Sequence, residues 1–290
     1  MAPHPLARIV SRFKREPSRT GSLIITFHGD AILPRGGSVW LGTLLQFLDL
    51  LQIEGGVVRT AASRLAADGW LARDKAGRKS FYRLAPAGRA RFEAAIAHVY
   101  APQPLPASDR FELILIGNGA EREAARDALD EAGFGSPLPG VWVAPAGTPV
   151  PDPASAGIRL DALLQRDAGQ RLVAASWDLA RTAEAYRAFL KLFAPLADWI
   201  AEGAELAPED AILARVLLIH HYRRVVLHDP LLPPDLLPPA WPAREARAFC
   251  ARIYRALLPA SERWLDVHGE CLAGPLPPAG AGLTARFVDL

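Results

Sequence analysis

The apolar positions of the chain change their period within one short span. Val58, Ala61, Ala62 and Leu65 recur at helical intervals, which lines them on one face of a helix and turns Arg59, Thr60 and Ser63 the other way. Gly69 stands where a C-terminal cap is expected. Beyond it, residues 70–73 and 80–84 read as two strands joined by a turn at 74–77. Upstream, Ser38 can cap a helix over 39–48, and 34–37 (Pro-Arg-Gly-Gly) is a turn. The apolar run 22–27 fits a strand by periodicity, but a helix there makes better sense of the order. Residues 86–88 lead into another helix over 89–100, with Phe92, Ile96 and Val99 on one side. Helices followed by a basic hairpin are the order of a winged helix-turn-helix, a DNA-binding unit. The competing reading is a small helix and hairpin with a solvated basic rim.

Downstream the pattern first suggests a small α+β sandwich, ferredoxin-like in order, over 107–177. Residues 111–116 and 141–144 read as strands, 121–132 as a helix and 133–135 as a turn. The segments 158–160 and 171–174 are further strand candidates. From 178 the spacing is helical: 179–200, continuous or broken at Pro195, then 211–227 and 243–258. Between the last two lies a proline-rich crossover, 228–242, whose leucines are expected to pack on the helices. A stiff boundary is expected at 101–106 and a turn at 117–119. The expected domains are therefore a flexible arm (1–20), the winged helix (21–100), the ferredoxin-like middle (107–177), a helical C-terminal domain (178–271) and a loose tail (272–290).

Charge is divided unevenly along this order. The first hundred residues hold 15 Lys/Arg against 7 Asp/Glu, and the remaining 190 hold 18 against 24. A basic head on an acidic body fits a DNA-contacting unit attached to an effector or oligomerisation domain. The candidate contacts are Arg59, Thr60, Ser63 and Arg64 on the helix, with Arg73, Lys75, Arg78 and Lys79 on the hairpin. Arg59, Thr60 and Ser63 are the base-reading candidates, and Arg78 and Lys79 the phosphate-binding ones. With no membrane-length apolar run and no secretory core, a cytoplasmic, nucleoid-associated location is expected. Cys250 and Cys271 form neither a CxxC pair nor a disulfide framework. No nucleotide-cradling or hydrolase motif occurs, and no cofactor is expected.

Several motifs together resemble the PaaX-type repressor family, named for a bacterial phenylacetic acid degradation regulator. They are Phe27-His28-Gly29-Asp30, Pro34-Arg35-Gly36-Gly37, Val39-Trp40-Leu41-Gly42, Val57-Val58-Arg59-Thr60-Ala61 and Gly69-Trp70-Leu71. Pro139-Gly140-Val141-Trp142-Val143-Ala144-Pro145, Leu218-Ile219-His220-His221-Tyr222-Arg223-Arg224 and Asp229-Pro230-Leu231-Leu232-Pro233 complete the likeness. The resemblance implies a homodimeric repressor on double-stranded operator DNA, with a Cas2-like middle domain. It also implies release by an aryl-CoA effector such as phenylacetyl-CoA.

His220, Tyr222, Arg223 and Arg224 are the candidate effector contacts, the arginines suiting CoA phosphates. For His220, a hydrogen-bonded place beneath the proline-rich crossover is the competing structural reading. A metal site is disfavoured, because adjacent histidines on a helix diverge by about 100°. Nuclease chemistry is not expected either, since Ile116-Gly117-Asn118 at the end of the first middle-domain strand offers no carboxylate. The alternative function is an acyl-CoA-handling enzyme with an accessory winged helix, for which the sequence supplies no evident nucleophile or base.

Overall fold

The computed structural model describes residues 5–15, 20–100, 109–117 and 122–288. The expected boundary at 101–106 and most of the turn at 117–119 lie outside them. The fold is α+β, mainly helical, with three small antiparallel sheets among the described residues.

Helix α1 (Pro5–Arg15) occupies much of what was expected to be a flexible arm. Its buried Leu6, Ile9 and Phe13 recur every three or four residues, an apolar stripe that basic composition had obscured. Helix α2 (Thr20–Phe27) buries Leu23 to Phe27 and ends in one π-helical turn, His28–Ile32. Gly29 is required in that turn, since a Cβ there would sit 1.4 Å from the Phe92 ring. Strand β1 (Ser38–Trp40) precedes helix α3 (Leu41–Asp49), so Ser38 does not cap a helix from 39 as expected. Val39 is buried opposite Tyr82 in the sheet, and the Trp40 indole lies where a Cβ on Gly42 would be. Helix α4 (Gly55–Ala67), strands β2 (Leu71–Ala76) and β3 (Lys79–Leu84), and helix α5 (Pro86–Tyr100) follow. The three strands form an antiparallel sheet in the order β1-β3-β2.

The next elements are β4 (Arg110–Leu115), α6 (Arg122–Glu131), β5 (Gly135–Leu138), β6 (Val141–Pro145), β7 (Ile158–Leu163) and α7 (Arg166–Ser176). Their sheet is antiparallel throughout, in the order β5-β6-β4-β7. Alternation sends Ile114, Trp142 and Ala144 into a core with Ala125, Leu129 and Phe134. Phe111 and Val143 face the opposite core, with Val173, Leu232 and Leu236. Residues 171–174 are therefore not a strand but part of α7, where Gly169 and Val173 bury one helical face. Residue 135 also departs from the turn reading: Gly133 turns at φ 80°, and Gly135 already opens β5 beneath Trp177.

Helix α8 (Leu179–Ala201) continues through Pro195, α9 (Pro208–Val226) follows, and α10 (Ala243–His268) runs through Pro259. Buried residues occupy every side of α9 from Ala211 to Tyr222, as in a helix enclosed within a core. In the proline-rich crossover, Asp229 accepts a hydrogen bond from Tyr186 Oη at 2.7 Å and one from the Leu231 amide at 2.9 Å. Strands β8 (Glu270–Cys271) and β9 (Gly274–Pro275) and helix α11 (Ala281–Thr284) complete the described chain. The expected loose tail instead buries Leu276, Leu283, Arg286 and Phe287.

The chain divides into two compact units, neither continuous in sequence. One comprises Met1–Pro102, Ala188–Arg224 and Glu245–Leu290; the other comprises Gln103–Arg187 and Val225–Arg244. The serial partition expected from sequence is replaced because α9 and the C-terminal segment complete the core of the N-terminal helices.

Candidate nucleic-acid interface

Helix α4 inserts Val58 and Ala62 into the core and leaves Arg59, Thr60, Ser63 and Arg64 exposed. It stops at the expected place: Gly69 adopts φ 73°, and the Trp70 amide reaches back to the Leu65 carbonyl at 2.9 Å. Arg59 pairs with no described carboxylate, and Arg64 lies 4.0 Å from Asp68 in an exposed contact. Thr60 is not a free donor, because its hydroxyl donates to the Gly56 carbonyl at 2.9 Å.

The hairpin is longer than the sequence suggested. Asp74, Lys75 and Ala76 continue β2, pairing with Phe81, Ser80 and Lys79, so the turn is Gly77-Arg78, with Gly77 at φ 56°. A two-residue turn with positive φ matches the twist of the strands it joins. The cations on it have different fates. Lys75 and Arg78 are exposed. Arg73 donates through Nε and Nη2 to Ser80 Oγ at 3.2 and 2.7 Å, and Arg83 pairs with Asp74 at 3.0 Å. Lys79 contacts Glu270 at 2.5 Å and lies 4.6 Å from the Trp40 ring centroid. The hairpin is thus tied to β8, a contact sequence reasoning missed. Seven cations against two carboxylates between 55 and 84 leave an excess of positive charge on this helix and hairpin.

The same compact unit encloses a buried polar cluster that the site candidates did not include. Asp30, in the π turn after α2, receives Arg215 Nε on Oδ2 at 2.7 Å. Its Oδ1 receives Tyr100 Oη at 2.6 Å, Tyr254 Oη at 3.0 Å and Arg286 Nη1 at 2.8 Å. Both guanidinium groups also donate to the Asp30 carbonyl, at 2.8 and 2.7 Å. Arg215 continues to Glu262 at 2.5 Å, and Glu262 meets Arg35 at 3.2 Å. Asp30 and Arg215 side chains are 0% exposed. Burial opposes the charge on Arg215, but Asp30, Tyr254 and Glu262 outweigh it and raise its pKa. Burial followed by the Asp30 charge raises the Tyr100 pKa, keeping its phenol a donor.

The candidate effector residues are mostly inward. His220 is buried on α9, its Nδ1 3.0 Å from Thr26 Oγ1. Because Thr26 donates its proton to the Ser22 carbonyl at 3.0 Å, Nδ1–H is the donor of that pair. Burial, and then the charges of Arg223, His221 and Arg224, lower the His220 pKa to about 2. Tyr222 is buried against Phe189 and Phe287. Arg223 is half-buried and donates to Ser22 Oγ at 2.6 Å, while Arg224 is exposed. These four therefore do not converge on one open surface. Among the described residues, no His, Cys, Asp and Glu group is arranged to hold a metal ion. No helix among them is long and apolar enough to cross a membrane.

Residues 19–88 match the model described as PaaX-like protein, and residues 177–267 the one described as PaaX-like protein C-terminal domain. The chain is 35% identical over 286 residues to the Transcriptional repressor PaaX of Escherichia coli (strain K12), covering 93% of this chain and 90% of that protein. The chain belongs to the PaaX family. In fold it also resembles the uncharacterized protein Rv0674 from Mycobacterium tuberculosis, with a TM-score of 0.52 and 24% identity over 76% of this chain and 89% of that one.

Two PaaX-type motifs acquire physical roles here. Phe27-His28-Gly29-Asp30 supplies the stacked Phe27, the glycine under Phe92 and the central carboxylate of the buried cluster. Pro34-Arg35-Gly36-Gly37 supplies Arg35, whose Nε donates to the Pro277 carbonyl at 2.8 Å and whose Nη2 meets Asp266. The available signal was a charge inside an apolar run: Asp30 follows Leu23 to Phe27, and Arg215 interrupts Ala211 to Ile219. Buried charges require partners.

Proposed function

We propose that this chain is a non-enzymatic, homodimeric transcriptional repressor of an aromatic-acid (phenylacetate-type) catabolic operon. Its helix α4 reads the major groove, and the β2–β3 hairpin serves as the wing. The observation that carries this reading is 35% identity, over 93% of the chain, to a protein named as a transcriptional repressor. The exposed Arg59 on α4, without a described carboxylate partner and followed in the chain by a cationic hairpin, supports it. The order α2, β1, α3, α4, β2, β3 supports the winged-helix assignment. The strand order β5-β6-β4-β7 supports a ferredoxin-like middle whose second crossover is reduced to the short turn Asp152–Ala154.

An aryl-CoA thioester releases the DNA in this proposal, by favouring a dimer whose half-site spacing no longer fits the operator. The burial of His220 and Tyr222 leaves Arg223 and Arg224 as the members of the original effector set within reach of solvent.

The test is a gel shift with a duplex selected from a random-sequence pool by the full-length protein. Arg59→Ala is expected to lose binding by roughly 10- to 100-fold, the cost of a lost bidentate base contact. Its sedimentation as a dimer should be unchanged. Equal affinity of the variant and the parent would overturn α4 as the reading helix.

A further inference from the structure

The outward face of α4 is neither uniformly polar nor uniformly cationic. Gly56, Thr60, Ser63 and Ala67 fall near its centre, with Arg59 on one flank and Val57 and Arg64 on the other. Val57 is 48% exposed, and among the described residues it is the large apolar side chain that α4 leaves in solvent. No side chain at Gly55 or Gly56 shields it, and a Cβ on Gly56 would meet nothing within 4 Å. Thr60, one turn on, spends its hydroxyl proton on the Gly56 carbonyl. What Thr60 offers beside Val57 is therefore chiefly its methyl group.

We propose that Val57, with the Thr60 methyl beside it, recognises the 5-methyl group of a thymine in the major groove. This rests on the DNA-binding reading of α4 and deepens it to a base identity. The occupant follows from the surroundings of the patch. Arg59 and Arg64 put positive charge on the exposed side of the same helix, and Lys75 and Arg78 are exposed on the hairpin that follows it, so the complementary surface is polyanionic. The apolar feature that a polyanionic duplex presents in its major groove is the thymine methyl. The central small residues let the groove floor approach closely. Thr60 thus changes role: a hydroxyl suited by sequence to hydrogen-bond a base becomes part of an apolar contact.

The experiment uses the full-length protein and the duplex it selects from a random pool, with each thymine replaced in turn by uracil, which removes the methyl alone. The expected result is one thymine per half-site whose replacement weakens binding roughly fourfold, the value of one buried methyl. Val57→Ala should weaken binding to the parent duplex by a similar factor and be indifferent to uracil at that position. Equal sensitivity of Val57→Ala and the parent to every replacement would overturn the inference, as would uniform indifference of the parent. Those outcomes leave DNA binding intact. Failure of the parent protein to select any duplex would instead remove the DNA reading and this inference with it.

Discussion

Arginine meets two opposite environments in the same compact unit, on α4 and around Asp30. Arg59 stands in solvent without a described carboxylate partner, whereas Arg215 and Arg286 are buried against the shared Asp30 carboxylate and two tyrosines, with Glu262 also meeting Arg215. A guanidinium released into solvent keeps its donors for an incoming ligand. One enclosed in the core must be fully met by the protein, because an unpaired buried charge is costly. The difference teaches where this molecule reserves charge for recognition and where it uses charge to join distant segments.

The largest effect should come from breaking the enclosed set. Asp30→Ala removes the shared acceptor of two guanidinium groups and is expected to cost about 3–5 kcal/mol of stability, the usual penalty for orphaning a buried ion pair. Chemical denaturation reads it directly, and a loss below about 1 kcal/mol would show that the cluster contributes little net stability.

Lowering the pH tests the same core through its histidines. His28 is held at about 4 by burial, against hydrogen bonding to backbone, and His220 at about 2. Both take up a proton near 6.5 when unfolded and resist it when folded. Their contribution is therefore fully present above that value and lost as the pH falls through it toward the folded pKa values. Between pH 7.5 and pH 5 each should remove about 2 kcal/mol of stability. His220→Asn should flatten the slope by about one proton; an unchanged slope would contradict neutral burial of that ring.

The smallest effects belong to the hairpin. Lys75→Ala and Arg78→Ala should each weaken DNA binding about threefold to tenfold and reduce the salt dependence by about one counterion. Lys79→Ala should do less, because Lys79 must leave Glu270 before it can meet a phosphate. Glu270→Gln frees it and should raise affinity modestly at low salt. Equal losses for all three cations would mean that the Glu270 contact does not restrain Lys79.

How much of this was legible follows the range of the interactions. Helix α4 and its hairpin are written in local periods, and Gly69 marks the cap that the structure adopts. Strand β1 was hidden because it has only three residues and begins with Ser38, a good helix cap whose actual partner is Arg83. The 171–174 run was ambiguous for the usual reason: a short apolar stretch fits either period until its neighbours are known. The hairpin cations looked alike in sequence, yet Ser80, Asp74 and Glu270 distinguish Arg73, Arg83 and Lys79 from Lys75 and Arg78. The Asp30 cluster lay furthest from view, since its side-chain partners are 70 to 256 residues away. Spacing alone does not say which arginine a carboxylate will meet.

The distance between Asp30 and Arg286 also sets an order in time. During synthesis, α4 and its hairpin emerge from the ribosome long before Arg215, Tyr254 and Arg286 do. Until then the Asp30 carboxylate lacks the cations that enclose it. A chain interrupted before Arg286 carries the outward arginines on a head whose interior is unfinished. Synthesis as far as Arg286 is thereby needed before the Asp30 carboxylate has its full set of partners.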